Sequence, residues 1–305
     1  MPGKRSLQTI QVWRCEVKAM DEMSAIGYNY QVVPALYIIA TPIGNLEDIS
    51  LRALRLLQEV KLIAAEDTRT TRHLLNAYNI KTPVTSYHEH SRQAKLGYLL
   101  DCLEKEDVAL VSEAGMPGLS DPGYELVVAA IDRGIPVVPI PGVSAVTAAL
   151  VVAGLPADQF LYLGFLPRRR GQRRRLLRSI AGEPRTIVAF EAPHRFKETL
   201  SDIQEILGDR RLAVCRELTK MHEEVFRGTV SQASEHFTEP RGEFTLVVEG
   251  KTEEKARVTE EAEKELRELF QQGTKAKEAI SRVSEASGLS KKELYQAWLN
   301  FKKGD

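Results

Sequence analysis

"VALVSEAGMPGLSDPGYELVVAAIDRGIPVVPIPG" occupies residues 108–142, and its reading decides the fold. "VALV" is an apolar run too short for a helix and suited to a strand buried on both faces. It enters "SEAGMPGLSDPG", where three glycines and two prolines stand within twelve residues. A helix then spans Tyr124–Asp132, and "IPVVPIPG" returns as a strand. Strand, loop, helix, strand is the repeating unit of a parallel α/β sheet. The glycine-rich loop leaves backbone N–H and C=O groups open to a small polar ligand. A plainer reading makes it a turn-rich connector in which Asp121 caps the following helix.

The same alternation runs upstream. "ALYIIATPIGN" is a strand entering a Pro/Gly loop, with Asp48 as the N-cap of a helix marked by Ile49, Ala53, Leu56 and Val60. "KLIAAEDTR" and "TPVTSYHEH" are two more strands, each followed by a helix. The loops "TPIGN", "EDTR", "YHEH", "SEAGMPG" and "PIPGVSA" should share one edge of the sheet, the carboxyl edge, where ligands bind in such folds. Downstream, "QFLYLGF", "RTIVAFEA", "RRLAVCREL", "EEVFRGTV" and "GEFTLVVEG" read as a second α/β unit with a mixed sheet.

The expected organisation is therefore an extension over residues 1–34, an α/β domain over 35–155, a second over 156–250, and a helical tail over 251–305. In the tail, "SGLSKKEL" supplies a turn at Gly288, an N-cap at Ser290, Glu293 at the capping-box position, and Leu289 with Leu294 as a hydrophobic staple. The last helix is expected to bury Leu294, Tyr295 and Trp298. A short helix, a glycine turn and a capped helix resemble a helix-turn-helix.

Composition excludes several classes. The 42 basic and 42 acidic residues cancel, so a nucleic-acid surface has to be local. The three cysteines are isolated, which argues against a disulfide framework or structural zinc and fits a cytoplasmic protein. No apolar stretch reaches the roughly 20 residues of a membrane span. GxxxxGK[ST], GxGxxG and HExxH are all missing. His88 and His90 share a strand face but lack a third ligand at a useful spacing, so no metal is expected.

Two further features carry chemistry. "AAEDTR" gathers Glu66, Asp67 and Arg69 at a strand end, either as a polar acceptor site or as a helix cap with a local ion pair. "PRRRGQRRRLLR" places seven arginines in residues 168–178 with no acid between them, which reads as a phosphate footprint. Six of them, Arg168, Arg169, Arg170, Arg173, Arg174 and Arg175, are the candidate RNA contacts, together with Arg195 of "FEAPHR".

Together "LYIIATPIGNLEDIS", "AAEDTRTTRHLL", "SEAGMPGLSDPG", "PIPGVSA", "FEAPHR" and "GEFTLVVEG" resemble, in order, the ribosomal small-subunit RNA 2′-O-methyltransferase I family. That family belongs to the tetrapyrrole-methylase-like class of S-adenosylmethionine enzymes. The resemblance implies two α/β domains with the cofactor in the cleft between them. It also implies methylation of a cytidine 2′-hydroxyl in the decoding region of 16S rRNA, and a homodimer. By the same resemblance Ile43 and Gly44 fall on one cofactor loop, and Ala114, Gly115, Met116 and Leu119 on a second. Ser144 and Ala145 open a third contact, and Glu191, Ala192 and Leu218 come from the second domain. Met116 stands where the wider class carries Asp. Glu66, Asp67 and His88 are the candidate proton acceptors, with Arg69 and Arg195 steadying the sugar-phosphate. A tetrapyrrole-type small-molecule methylase and a non-catalytic RNA-binding module are the alternative readings.

Overall fold

A computed structural model describes residues 33–88, 92–252 and 260–303. The expected extension lies outside the described residues except for Val33 and Pro34, and so do His90 and Val258.

The first sheet holds β1 (Leu36–Ile39), β2 (Leu62–Ala65), β3 (Val84–Ser86), β4 (Val108–Val111) and β5 (Val137–Ile140) in the order β3-β2-β4-β1-β5. Every pairing is parallel. Alternate residues face opposite layers. Tyr37, Ile39, Ile63, Ala65, Ala109 and Val111 pack with α1 (Leu51–Glu59) and α2 (Thr68–Ala77). Leu36, Ile38, Leu62, Ala64, Val108 and Leu110 pack with α3 (Arg92–Leu103) and α4 (Tyr124–Asp132). Burial on both faces explains why "LIAA" and "VALV" are apolar throughout. Pro139 is tolerated because β5 is an edge strand. Ser50, not Asp48, caps α1: its side chain accepts from Ala53 N, while Asp48 lies in the 3₁₀ turn Leu46–Asp48.

α5 (Ala145–Ala153) leads into the second sheet, β6-β7-β10-β8-β9. Its strands are β6 (Phe160–Phe165), β7 (Thr186–Glu191), β8 (Arg211–Arg216), β9 (Glu224–Thr229) and β10 (Phe244–Val248). β6 and β7 are parallel and the other pairings antiparallel, which is the expected mixed sheet. One face packs on α6 (Arg170–Ser179), α7 (Phe196–Leu207) and α8 (Val230–His236) through a cluster containing Leu177, Phe196, Leu200, Ala233 and Phe244. The other face packs on α5: Val146, Ala149, Leu150 and Ala153 cluster with Val188, Ala213, Cys215 and Val247. α5 thus packs on the second sheet although it precedes residue 155 in the chain.

The tail is a compact unit apart from the two sheets. Its helices are α9 (Glu260–Gln271), α10 (Ala276–Ser287) and α11 (Lys291–Lys303). Gly288 ends α10 at φ +70, and Ser290 and Glu293 exchange the two hydrogen bonds of a capping box at 3.3 Å each. Leu289 and Leu294 are both buried, as a staple requires. Tyr295 is not part of that core; it is 48% exposed while Leu294 and Trp298 are buried.

Candidate active site

The connection after β2 leads outward to β3, whereas the connection after β4 crosses β1 to reach β5. Neighbouring strands whose connections part in this way leave a crevice at their carboxyl ends. Glu66 follows β2 there, and Ser112 and Glu113 follow β4. The Glu66 carboxylate accepts a hydrogen bond from Glu113 N at 3.1 Å. His88, two residues beyond β3, stands within electrostatic reach of Glu66.

The glycines of "SEAGMPGLSDPG" are first of all required by the chain path. Gly115, Gly118 and Gly123 take φ of +81, +84 and +145, a region closed to most side chains. Gly115 is also engaged, exchanging hydrogen bonds with Thr41 at 2.9 and 3.0 Å, so its backbone is not open to a ligand. Met116 packs into the core cluster that contains Tyr87, Leu110 and Leu126. Ala114 and Leu119 are exposed.

Asp121 is the residue that sequence reasoning misplaced. The N-cap of α4 is Gly123 with no side-chain capping bond, so Asp121 caps nothing. Its carboxyl is instead drawn in beside Ser112, Glu66 and Glu113. Burial pushes it up, the Glu66 and Glu113 charges push further, and a hydrogen bond with Ser112 only partly opposes them, leaving it at about 7. Glu66 is also held above its ordinary value, chiefly by burial. Asp67 goes the other way. Hydrogen bonds from the Arg69 side chain and backbone lower it to about 2, and it caps α2 through Arg69 N and Thr70 N. A carboxylate so stabilised is a poor proton acceptor. Arg69 is spent on the same pair, at 3.0 Å. Of the four candidates for chemistry, the fold brings Glu66 within electrostatic reach of both Asp121 and His88, and leaves Asp67 and Arg69 paired with each other.

The carboxyl ends of β6, β7 and β8 share one edge, and the loops of the first sheet meet it twice. Asn45 N donates to Thr219 Oγ1 at 3.0 Å, and a Cβ on Gly44 would stand 2.4 Å from Lys220 Cγ and 3.2 Å from Leu218 O. Ile43, Gly44 and Leu218 are therefore brought together, through a second-domain segment that holds Glu217 and Thr219 at φ +51 and +65. At the other contact, Ser120 Oγ and Tyr162 Oη are 2.8 Å apart. Ser144 starts α5 without capping it, which leaves its hydroxyl and the first turn at Ala145 available. Glu191 is buried and internally satisfied: it accepts from Ala192 N at 2.8 Å and Thr199 Oγ1 at 2.5 Å, and pairs with Arg195 at 2.6 Å. Ala192 is half-buried beside it, with its N–H given to Glu191 and its carbonyl accepting from Arg195 N at 3.1 Å.

These residues fit S-adenosylmethionine. Exposed Ala114 and Leu119 offer apolar contacts, the Ser144 hydroxyl, which makes no capping bond, offers a polar one, and the Glu66, Glu113 and Asp121 carboxyls suit a cationic sulfonium. Two surface hollows of about 350 and 360 Å³ lie elsewhere, lined by residues such as Tyr98 and Cys102 or Arg211 and Gln232.

The arginine run is not unbalanced. α7 supplies the acids that the local sequence lacks. Arg173 and Asp202 are both fully buried and paired at 2.8 Å, and Arg170 and Arg174 reach the same carboxylate at 3.1 and 2.9 Å. Arg174 also pairs with Glu205. Arg195 is committed to Glu191 and to Leu166 O. Arg173, Arg174 and Arg195 thus serve the fold, whereas Arg168, Arg169 and Arg175 are exposed.

The model of the tetrapyrrole (corrin/porphyrin) methylase family matches residues 35–234. A curated relative named ribosomal RNA small subunit methyltransferase I, from Halalkalibacterium halodurans, is 46% identical over 271 residues, 86% of this chain and 94% of its own. One of the same name from Thermotoga maritima is 52% identical over 219 residues, 71% of this chain and 98% of its own. Among solved structures, a cobalt precorrin-4 methyltransferase has a TM-score of 0.54 at 21% identity, covering 70% of this chain and 94% of that one. A diphthine synthase reaches 0.56 at 14% identity, covering 70% and 90%. At those identities the likeness establishes the fold alone.

Proposed function

The chain belongs to the tetrapyrrole methylase family and, within it, to the ribosomal RNA small subunit methyltransferase I group, and we propose that it transfers methyl from S-adenosylmethionine to a cytidine 2′-hydroxyl in the decoding region of 16S rRNA. The proposal extends to a cytoplasmic homodimer; among the described residues no helix is long and apolar enough to cross a membrane. The supporting observation is the placement of Asp121, a carboxyl poised near neutrality, at the edge where the two domains meet.

Bound S-adenosylmethionine supplies an electrophilic methyl carbon, so the chain's main task is alignment. Positioning alone is worth roughly 7–11 kcal/mol. The ribose hydroxyl still has to lose its proton, and Asp121 in its ionised form is the acceptor in this reading, with Glu66 near it and His88 in turn near Glu66. A base with a pKa near the working pH is the efficient choice. Ile43, Gly44, Ala114, Leu119, Ser144, Ala145, Ala192 and Leu218 line the cofactor side.

Mass-spectrometric mapping of ribose methylation in 16S rRNA, with and without the gene, tests the activity. Methyl transfer to a precorrin-like substrate and none to rRNA would establish the small-molecule alternative. RNA contact is assigned to the exposed arginines. The triple variant R168Q/R169Q/R175Q is expected to bind RNA more weakly, with a shallower dependence on salt. At about −0.7 per phosphate on single strands, losing three contacts changes the slope by about 2. An unchanged slope would place these arginines away from RNA.

A further inference from the structure

β6 and β7 pair in register through Tyr162 and Val188, and resume at Phe165 and Phe190. Three steps on β6 therefore match two on β7, which makes a bulge at Leu163 and Gly164. Gly164 takes φ +65, and a Cβ there would stand 2.6 Å from Ser120 Oγ, so glycine both turns the chain and admits the loop that carries Asp121. The extra residue also changes where Phe165 points. Strict alternation would place it with Leu163, which packs towards α6 and α7. Paired opposite Phe190 instead, it joins the face of Tyr162 and Phe190. The Phe165 and Phe190 rings are 5.4 Å apart, and Phe190 and Tyr162 are 5.5 Å apart, both edge-to-face.

Phe165 nevertheless stays 57% exposed. A ring braced on one side by Phe190, which Tyr162 braces in turn, and more than half exposed is a platform. Tyr162 links it to the chemistry, since its hydroxyl meets Ser120 and its pKa is raised by burial and by the charge of Asp121. Arg168 and Arg169 follow three and four residues on, within about 14 Å along an extended chain. Both are exposed, and neither makes an ion pair among the described residues.

We propose that Phe165 is the stacking platform for the unstacked base of the nucleotide that receives the methyl group. The inference rests on the RNA reading of the site and adds the contact that presents the ribose to Asp121. Aromatic faces hold splayed-out bases in single-stranded RNA, and arginines alongside hold the phosphates.

The test uses the full chain with a cytidine-containing single-stranded oligoribonucleotide and with intact small subunits. F165A is expected to raise KM for RNA by about 5- to 100-fold, with cofactor affinity unchanged. F165W is expected to keep a KM near wild type, and its added indole emission should quench when the oligonucleotide binds. An unchanged KM in F165A, or loss of cofactor affinity in that variant, overturns the proposal. Wild-type protein that methylates no RNA refutes the functional reading instead. Emission of F165W then decides stacking by itself: quenching by RNA sustains it, and silence or a response only to a tetrapyrrole overturns it.

Discussion

Asp121→Asn is expected to lower single-turnover methylation by about 10²–10⁴-fold while cofactor binding persists. The amide keeps the size of the carboxyl and its contact with Ser112, but it cannot take up a proton. The wild-type rate should climb with pH and level off above about 7, where Asp121 becomes ionised. The variant's residual rate should lack that rise. Stability should move oppositely. The folded-state pKa lies above the ordinary 3.8, so the folded chain keeps a proton that the unfolded chain releases as pH rises. The Asp121 contribution to stability is complete below about pH 4 and declines as pH passes through 7. Asp121→Asn escapes that decline, so its melting temperature should match wild type near pH 4 and exceed it at pH 8. A residue that merely supported the loop would lose stability at both. Normal turnover in the variant would remove Asp121 from the mechanism. Asp67→Asn is the internal contrast: it weakens the start of α2 and leaves turnover standing.

How much of this was legible in the sequence depended on whether the deciding contact was local. The parallel sheet was legible because "LIAA" and "VALV" are buried on both faces and say so in their composition. The tail's capping box was legible because Ser290 and Glu293 are three residues apart. The packing of α5 on the second sheet was not legible because the helix is apolar nearly all round, with Val146 and Ala149 buried yet Val151 79% exposed, and periodicity gives such a helix no preferred partner. Asp121 had a plausible local role as a cap, and only the fold brings Glu66 and Glu113 to it. Met116 stands out in the sequence by its residue type, but that its side chain packs against the cluster of Tyr87, Leu110 and Leu126 is visible only in the fold. The bulge at Gly164 left one trace, a glycine between aromatic residues late in a strand, a signal that marks a bulge or a close approach. The arginine run misled for the opposite reason. Its charges were plain, but the balancing acids lie 25 to 32 residues away on α7.

Asp202→Ala is the substitution expected to cost the fold most. Asp202 is fully buried, and both of its oxygens are engaged: Oδ2 by Arg173 at 2.9 and 2.8 Å, Oδ1 by Arg170 at 3.1 Å and Arg174 at 2.9 Å. Burial alone would push this carboxyl up, yet the hydrogen bonds from Arg173, Arg174 and Arg170 outweigh it and hold the pKa below its ordinary value. Its contribution is therefore present above about pH 4 and lost as pH falls through the lowered value. Removing the carboxylate strands the guanidinium of Arg173, which is also fully buried, with only a 3.4 Å contact to the exposed Glu198. Breaking one side of a buried pair typically costs about 3–5 kcal/mol. At about 2–4 °C per kcal/mol for domains of this size, the melting temperature should drop by roughly 6–20 °C. The double variant R173M/D202L should recover much of the loss, because no charge is then left buried without a partner. RNA binding at a permissive temperature should persist in both variants, since Arg168, Arg169 and Arg175 do not depend on Asp202 for a partner. Urea denaturation decides it: a D202A midpoint near wild type would mean that Arg173 finds water or another acceptor. Equal losses in D202A and the double variant would mean that the site needs the charges themselves and not merely their cancellation.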